Sequence, residues 1–152
     1  MNSIISLVVS FVICFAAAFV GTRWLPDEWF KKLNKPSWNP PNWLFAPVWT
    51  LLYALMAIAA WQVWEQAGVS AAPLLALFVV QLVMNAAWTW VFFGLHRPDR
   101  AFVEIVVLWV FIAATLLGFW QMNPLAGLLL APYLAWVTFA SFLNLTIWQL
   151  NR

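Results

Sequence analysis

Three tryptophans, Trp49, Trp88 and Trp136, stand inside long apolar runs beside side chains that can hydrogen-bond. Tyr53 follows Trp49 by four positions. Gln81 and Asn85 have the same spacing, with Trp88 three further on. Tyr133, Trp136, Ala140 and Asn144 form a third set. On a helix each set shares one face. Amides within a membrane are costly unless they face protein or a cavity, so the three faces are expected to converge. Trp49 and Trp88 should lie at similar depth, in the half nearer segment 23–43, and Trp136 nearer the midplane. Two arrangements satisfy this. In one, the amides bridge helices and the aromatics fill a core. In the other, flat aromatic walls and a few amide and phenol groups form a pocket for a large planar apolar molecule. Segment 23–43 would then lie over its mouth.

Other chemistries lack their residues. His96 is the single histidine and falls in a turn, so neither paired-histidine metal ligation nor a Ser/His/Asp relay can be built. No metal site is expected. There is no phosphate-binding glycine loop, and no basic patch suited to nucleic acid. Glu104 is four residues from Arg100 and is read as its i,i+4 partner near the membrane surface. No ionisable group is then expected at mid-membrane to relay a proton. Cys14 has no partner for a disulfide and reads as a small packing residue.

These faces need long apolar helices to carry them. Of 152 residues, 66% are hydrophobic and 8% charged, whereas a soluble domain carries about a quarter charged residues. Stretches such as 74–84 and 103–118 are apolar on every face, which fits helices and not the alternating strands of a membrane barrel. The expected fold is all-α: one membrane domain over 1–152, a bundle of five transmembrane helices near 3–22, 44–64, 73–95, 101–121 and 125–150. The first span has no preceding Lys or Arg and reads as a retained helix, not a signal sequence. The long first loop should hold a short helix, with Asp27 and Glu28 in its first turn and Lys31 and Lys32 in its last. Pro40 and Pro41 force an extended entry into the second span, and Pro132 is expected to kink the fifth.

All seven Lys and Arg residues fall in the first loop, the 96–100 turn and the C-terminal end. With five spans these share one side, so the N-terminus is expected outside and the long loop and C-terminus in the cytoplasm. Of the thirteen tryptophans, Trp24, Trp29, Trp43, Trp61, Trp64, Trp120 and Trp148 lie near span ends, as a membrane-surface belt requires. Trp109 lies deeper and fits packing or lipid contact.

The stretches LNKPSWNPPNWLFAPVWTLLYALM (33–56), QLVMNAAWTWVFFG (81–94) and APYLAWVTFASFLN (131–144) carry a resemblance that extends over essentially the whole chain. The sequence resembles the TspO/MBR family, which includes the tryptophan-rich sensory proteins, the translocator proteins and the peripheral-type benzodiazepine receptors. The resemblance implies a five-helix bundle, often a homodimer, that binds protoporphyrin IX or haem as ligand and requires no cofactor. Matching pocket positions are Trp38, Trp49, Tyr53, Asn85, Trp88, Trp136, Phe139 and Ala140. Trp49 and Trp136 match a pair linked in bacterial relatives to light-dependent porphyrin degradation, and are the catalytic candidates. The implied roles are tetrapyrrole binding for sensing or regulation, photo-oxidative breakdown, or transport of porphyrins and other small molecules. Specific sterol binding is not expected, because Leu145 and Gln149 replace the aromatic and basic residues of the animal sterol motif. Ala114/Gly118 and Ala131/Ala135 are small pairs that could bring two copies into close contact.

Overall fold

Apolar runs without water must satisfy their own backbone hydrogen bonds, and helices do so locally. The computed structural model describes residues 2–152, and among these there is no strand. Helix α1 (Ser3–Gly21) starts where the Asn2 side chain accepts from the Ile4 N–H. Helix α2 (Glu28–Lys32) is a single short turn capped by Asp27, with Glu28 at its start and Lys31 and Lys32 at its end. Helix α3 (Asn42–Ala67) follows the extended Pro41 and stops at Gly68, whose φ of 54° is open to glycine at little cost. A 3-10 turn (Gly68–Ala71) leads into α4 (Ala72–Thr89), which ends in a wide π turn (Trp90–Gly94). Helices α5 (Pro98–Met122) and α6 (Pro124–Leu150) complete the chain, and α6 runs unbroken through Pro132.

Four stretches are long and apolar enough to cross a membrane: Ser3–Gly21, Asn42–Gly94, Pro98–Met122 and Pro124–Leu150. The second has 53 residues and is divided at Gly68. There the chain doubles back, so that Tyr53 on α3 meets Asn85 on α4. Large apolar side chains cover the outside, among them Ile4, Val12, Phe19, Leu51, Val83, Val110 and Phe142. Such a continuous apolar surface suits lipid and not water, and the chain is an integral membrane protein.

Small residues set the closest helix approaches. A Cβ on Gly127 would lie 2.8 Å from the backbone Cα of Trp120, so α5 and α6 touch backbone to backbone at their shared turn. A Cβ on Gly118 would overlap Leu74 Cδ2, so Gly118 packs on α4 of its own chain. Helix α1 is tied to α3 by Ser10, which donates to the Ala57 carbonyl at 2.5 Å, and by Ser6, which donates to Glu65. Trp61 donates to the Ser3 carbonyl at 3.1 Å.

The expected Arg100–Glu104 pair does not form. The ion pairs among the described residues are Lys31–Glu28, His96–Asp27 and Arg97–Asp99. Arg100 is exposed, while both carboxyl oxygens of Glu104 are buried without a partner. Arginine at a membrane surface gains more from water than from a carboxylate turned inward.

A cluster of aromatic rings on a buried amide network

Trp49 from α3 and Trp136 from α6 stand edge to face, with ring centroids 6.5 Å apart and planes at 87°. Trp49 also meets Tyr53 at 5.8 Å and Tyr133 at 6.2 Å. Trp136 meets Phe139 at 5.5 Å and Phe45 at 5.9 Å. Phe139 in turn receives Trp38 of the long loop at 5.6 Å. Trp38, Trp49, Tyr53, Trp136 and Phe139 are thus one continuous chain of ring contacts, closed at one end by the loop. Ala140 packs, partly buried, against the same core. Phe45 belongs to this cluster and was missed in the sequence. Its signal was there, because Phe45 and Trp49 have the same i,i+4 spacing as Trp49 and Tyr53.

Beneath the rings lies a polar network. Tyr53 donates to Asn85 Oδ1 at 3.3 Å, and Asn85 Nδ2 donates to the Tyr133 hydroxyl at 2.6 Å. The Tyr133 hydroxyl in turn donates to Gln81 Oε1 at 2.6 Å. All four side chains are buried. The i,i+4 spacing of Gln81 and Asn85 places both amides opposite Tyr133, so one phenol serves two turns of α4. The network joins α3, α4 and α6, and both ends of the Asn85 amide are engaged. Asn85 therefore acts here as a buckle between helices.

Trp88 sits beside this cluster and not within it. Its indole N–H donates to Asn144 Oδ1 at 2.9 Å, and Asn144 Nδ2 donates to the Pro98 carbonyl at 2.8 Å. Its ring stacks on Phe92 at 5.0 Å, and edge-on to Phe93 at 5.8 Å. It bridges the main core and a smaller one around Phe30, Phe92 and Ile147. Two apolar grooves, of about 470 and 390 Å³, lie elsewhere, one between α1 and α4 and one along α1, and no candidate residue lines either.

The long loop is fastened at two further points. His96, in the turn after α4, adopts a φ of 55°, uncommon for a residue with a side chain. Its imidazole stacks on Trp29 at 4.3 Å and contacts Asp27 at 3.0 Å. Trp29 is held by this stack. Slight desolvation raises the Asp27 carboxyl, but the Phe30 N–H and His96 outweigh it and hold it below the usual range. At the other end, the Asn34 N–H donates to Asn151 Oδ1 at 2.9 Å, and Asn151 Nδ2 donates back to the Asn34 carbonyl at 2.8 Å. No group of three or more His, Cys, Asp and Glu able to hold a metal occurs among the described residues.

Residues 6–149 match the model of the TspO/MBR family. The chain is 43% identical to the tryptophan-rich protein TspO of Chlorobaculum tepidum, covering 99% of this chain and 98% of that protein. It is 46% identical to the tryptophan-rich sensory protein of Cereibacter sphaeroides, over 91% of this chain and 86% of the relative. It is 40% identical to the translocator protein of Homo sapiens, over 88% and 83% respectively. With the ring cluster placed and a family match across nearly its whole length, the chain belongs to the TspO/MBR family.

Proposed function

We propose that this chain is a five-span membrane sensor or regulator that binds a tetrapyrrole between the rings of Trp49, Trp136 and Phe139, under the loop that carries Trp38. The carrying observation is the mutually perpendicular Trp49–Trp136 pair in contact with the loop through Phe139 and Trp38. The edge of one indole meets the face of the other. A flat macrocycle can take the place of these contacts once Trp38 lifts from Phe139. The polar network below is saturated, so recognition rests on ring faces and on indole edges. A free-base porphyrin such as protoporphyrin IX suits this better than haem, because no axial ligand is at hand. Dividing Asn42–Gly94 at Gly68 supports the count of five spans, and the segregation of all seven basic residues favours the N-terminus outside and the loop and C-terminus in the cytoplasm. Assembly as a homodimer belongs to the same reading.

Titration of the purified protein with protoporphyrin IX in the dark tests it, followed by illumination. Saturable binding, weakened by Trp136→Phe, is the expected result. Absence of saturable binding returns the cluster to a packing role. A second reading, light-dependent breakdown of the bound pigment, is favoured by the direct contact of the two indoles, since an excited macrocycle seated there meets both. It requires pigment loss in the wild type that disappears in the Trp49→Phe/Trp136→Phe double variant. Transport is the third reading, and proteoliposomes showing no protein-dependent porphyrin flux would remove it.

A further inference from the structure

The chain has five acidic side chains, and four of them have partners. Asp27 meets His96, Glu28 meets Lys31, Asp99 meets Arg97, and Glu65 accepts from Ser6. Glu104 stands alone. It lies in the second turn of α5, well inside a stretch long and apolar enough to cross a membrane, and neither carboxyl oxygen reaches solvent or a hydrogen-bond donor. Its natural partner, Arg100, lies one turn away and turns outward to solvent. The carboxyl is directed into the protein despite an available cation.

An ionised carboxylate without a counter-ion is among the least tolerable groups in a membrane interior. A neutral carboxylic acid is tolerable, and needs no cation. The surroundings offer nothing else to compensate a charge. Of the elements packed against α5, α4 and the π turn contain no titratable side chain, and α6 contains Tyr133 alone. On α3 the titratable groups are Tyr53, engaged with Asn85, and Glu65, engaged with Ser6 at the opposite end of the bundle. Tyr133 is engaged with Asn85 and Gln81 and offers no positive charge.

We propose that Glu104 is a proton-binding site inside the membrane, occupied at neutral pH. The site is separate from the ring cluster and does not rest on tetrapyrrole binding.

The test uses the full chain in lipid nanodiscs at pH 7. Infrared spectra should contain the carbonyl stretch of a protonated carboxyl, and Glu104→Gln, an isostere of the neutral acid, should remove it. The band is read on the wild type, so it stands even if the variant folds poorly, and Glu104→Asp, which keeps the acid, should shift it without removing it. Absence of a protonated-carboxyl band at pH 7, or its persistence in Glu104→Gln, would overturn the assignment.

Discussion

The indoles of Trp49 and Trp136 come from different helices, and meet edge to face at 87°. Each is an anchor for other rings, Trp49 for Tyr53 and Tyr133, and Trp136 for Phe45 and Phe139. The pair is therefore the joint between two aromatic groups. Edge-to-face pairs contribute roughly 0.5–1.5 kcal/mol beyond area burial. A double-mutant cycle of Trp49→Phe and Trp136→Phe, read by thermal unfolding in detergent, should return a coupling of that order. Strict additivity would mean that the rings are neighbours without interaction.

Tyr133→Phe should destabilise the fold by about 1 kcal/mol, because it leaves Gln81 and Asn85 each short of a partner. Membrane hydrogen bonds average nearer 0.6 kcal/mol, so loss of one bond alone would be hard to see. Tyr53→Phe removes one long bond of 3.3 Å and should cost less. The ordering of the two unfolding temperatures is the check, and a larger loss for Tyr53→Phe would contradict the network.

Glycine substitutions should separate two kinds of contact. At Gly127 the obstacle is the Trp120 backbone, which cannot yield without moving α5. Gly127→Ala should cost on the order of 1–3 kcal/mol as overpacking. At Gly118 the nearest atom is the end of the Leu74 side chain, which can change rotamer. Gly118→Ala should be milder. Equal losses at both sites would show that Leu74 is as fixed as the backbone.

The Asp27–His96 contact predicts how the loop responds to acid. The folded carboxyl lies below its ordinary value of 3.8, so the unfastened loop binds protons more readily than the fastened one. Its contribution is complete above that value and fades as the pH falls through the lower, folded value. Hydrogen exchange of segment 23–43 should therefore stay slow at pH 5–7 as far as Asp27 is concerned, and quicken in stronger acid. Asp27→Asn should quicken exchange at neutral pH and flatten the acid response, whereas an unchanged profile would place the fastening elsewhere.

Membrane character, the apolar runs and the convergence of Trp49, Tyr53, Asn85 and Trp136 were legible because helical spacing and the cost of buried amides leave few choices. Partners were not. Asn85 could have faced a ligand, and the phenol that occupies it comes from a helix 48 residues away. Arg100 and Glu104 had ideal spacing on paper, yet solvent drew one outward and packing took the other inward. The packing of Gly118 on Leu74 and of Trp29 on His96 was not legible either. Spacing describes one helix at a time, and each of these outcomes depends on a second.

Asn123 ends α5 and, through its side chain, caps α6 at Leu125. A single residue separates the two helices, the Gly127–Trp120 approach closes them immediately, and the turn from Gln121 to Pro124 has no charged side chain. Carrying such a turn across a bilayer requires no ion to be dehydrated. During biogenesis α5 and α6 can consequently enter the membrane as one preformed hairpin, delivering Trp136 and Tyr133 to a site whose other wall, on α3 and α4, has already been synthesised.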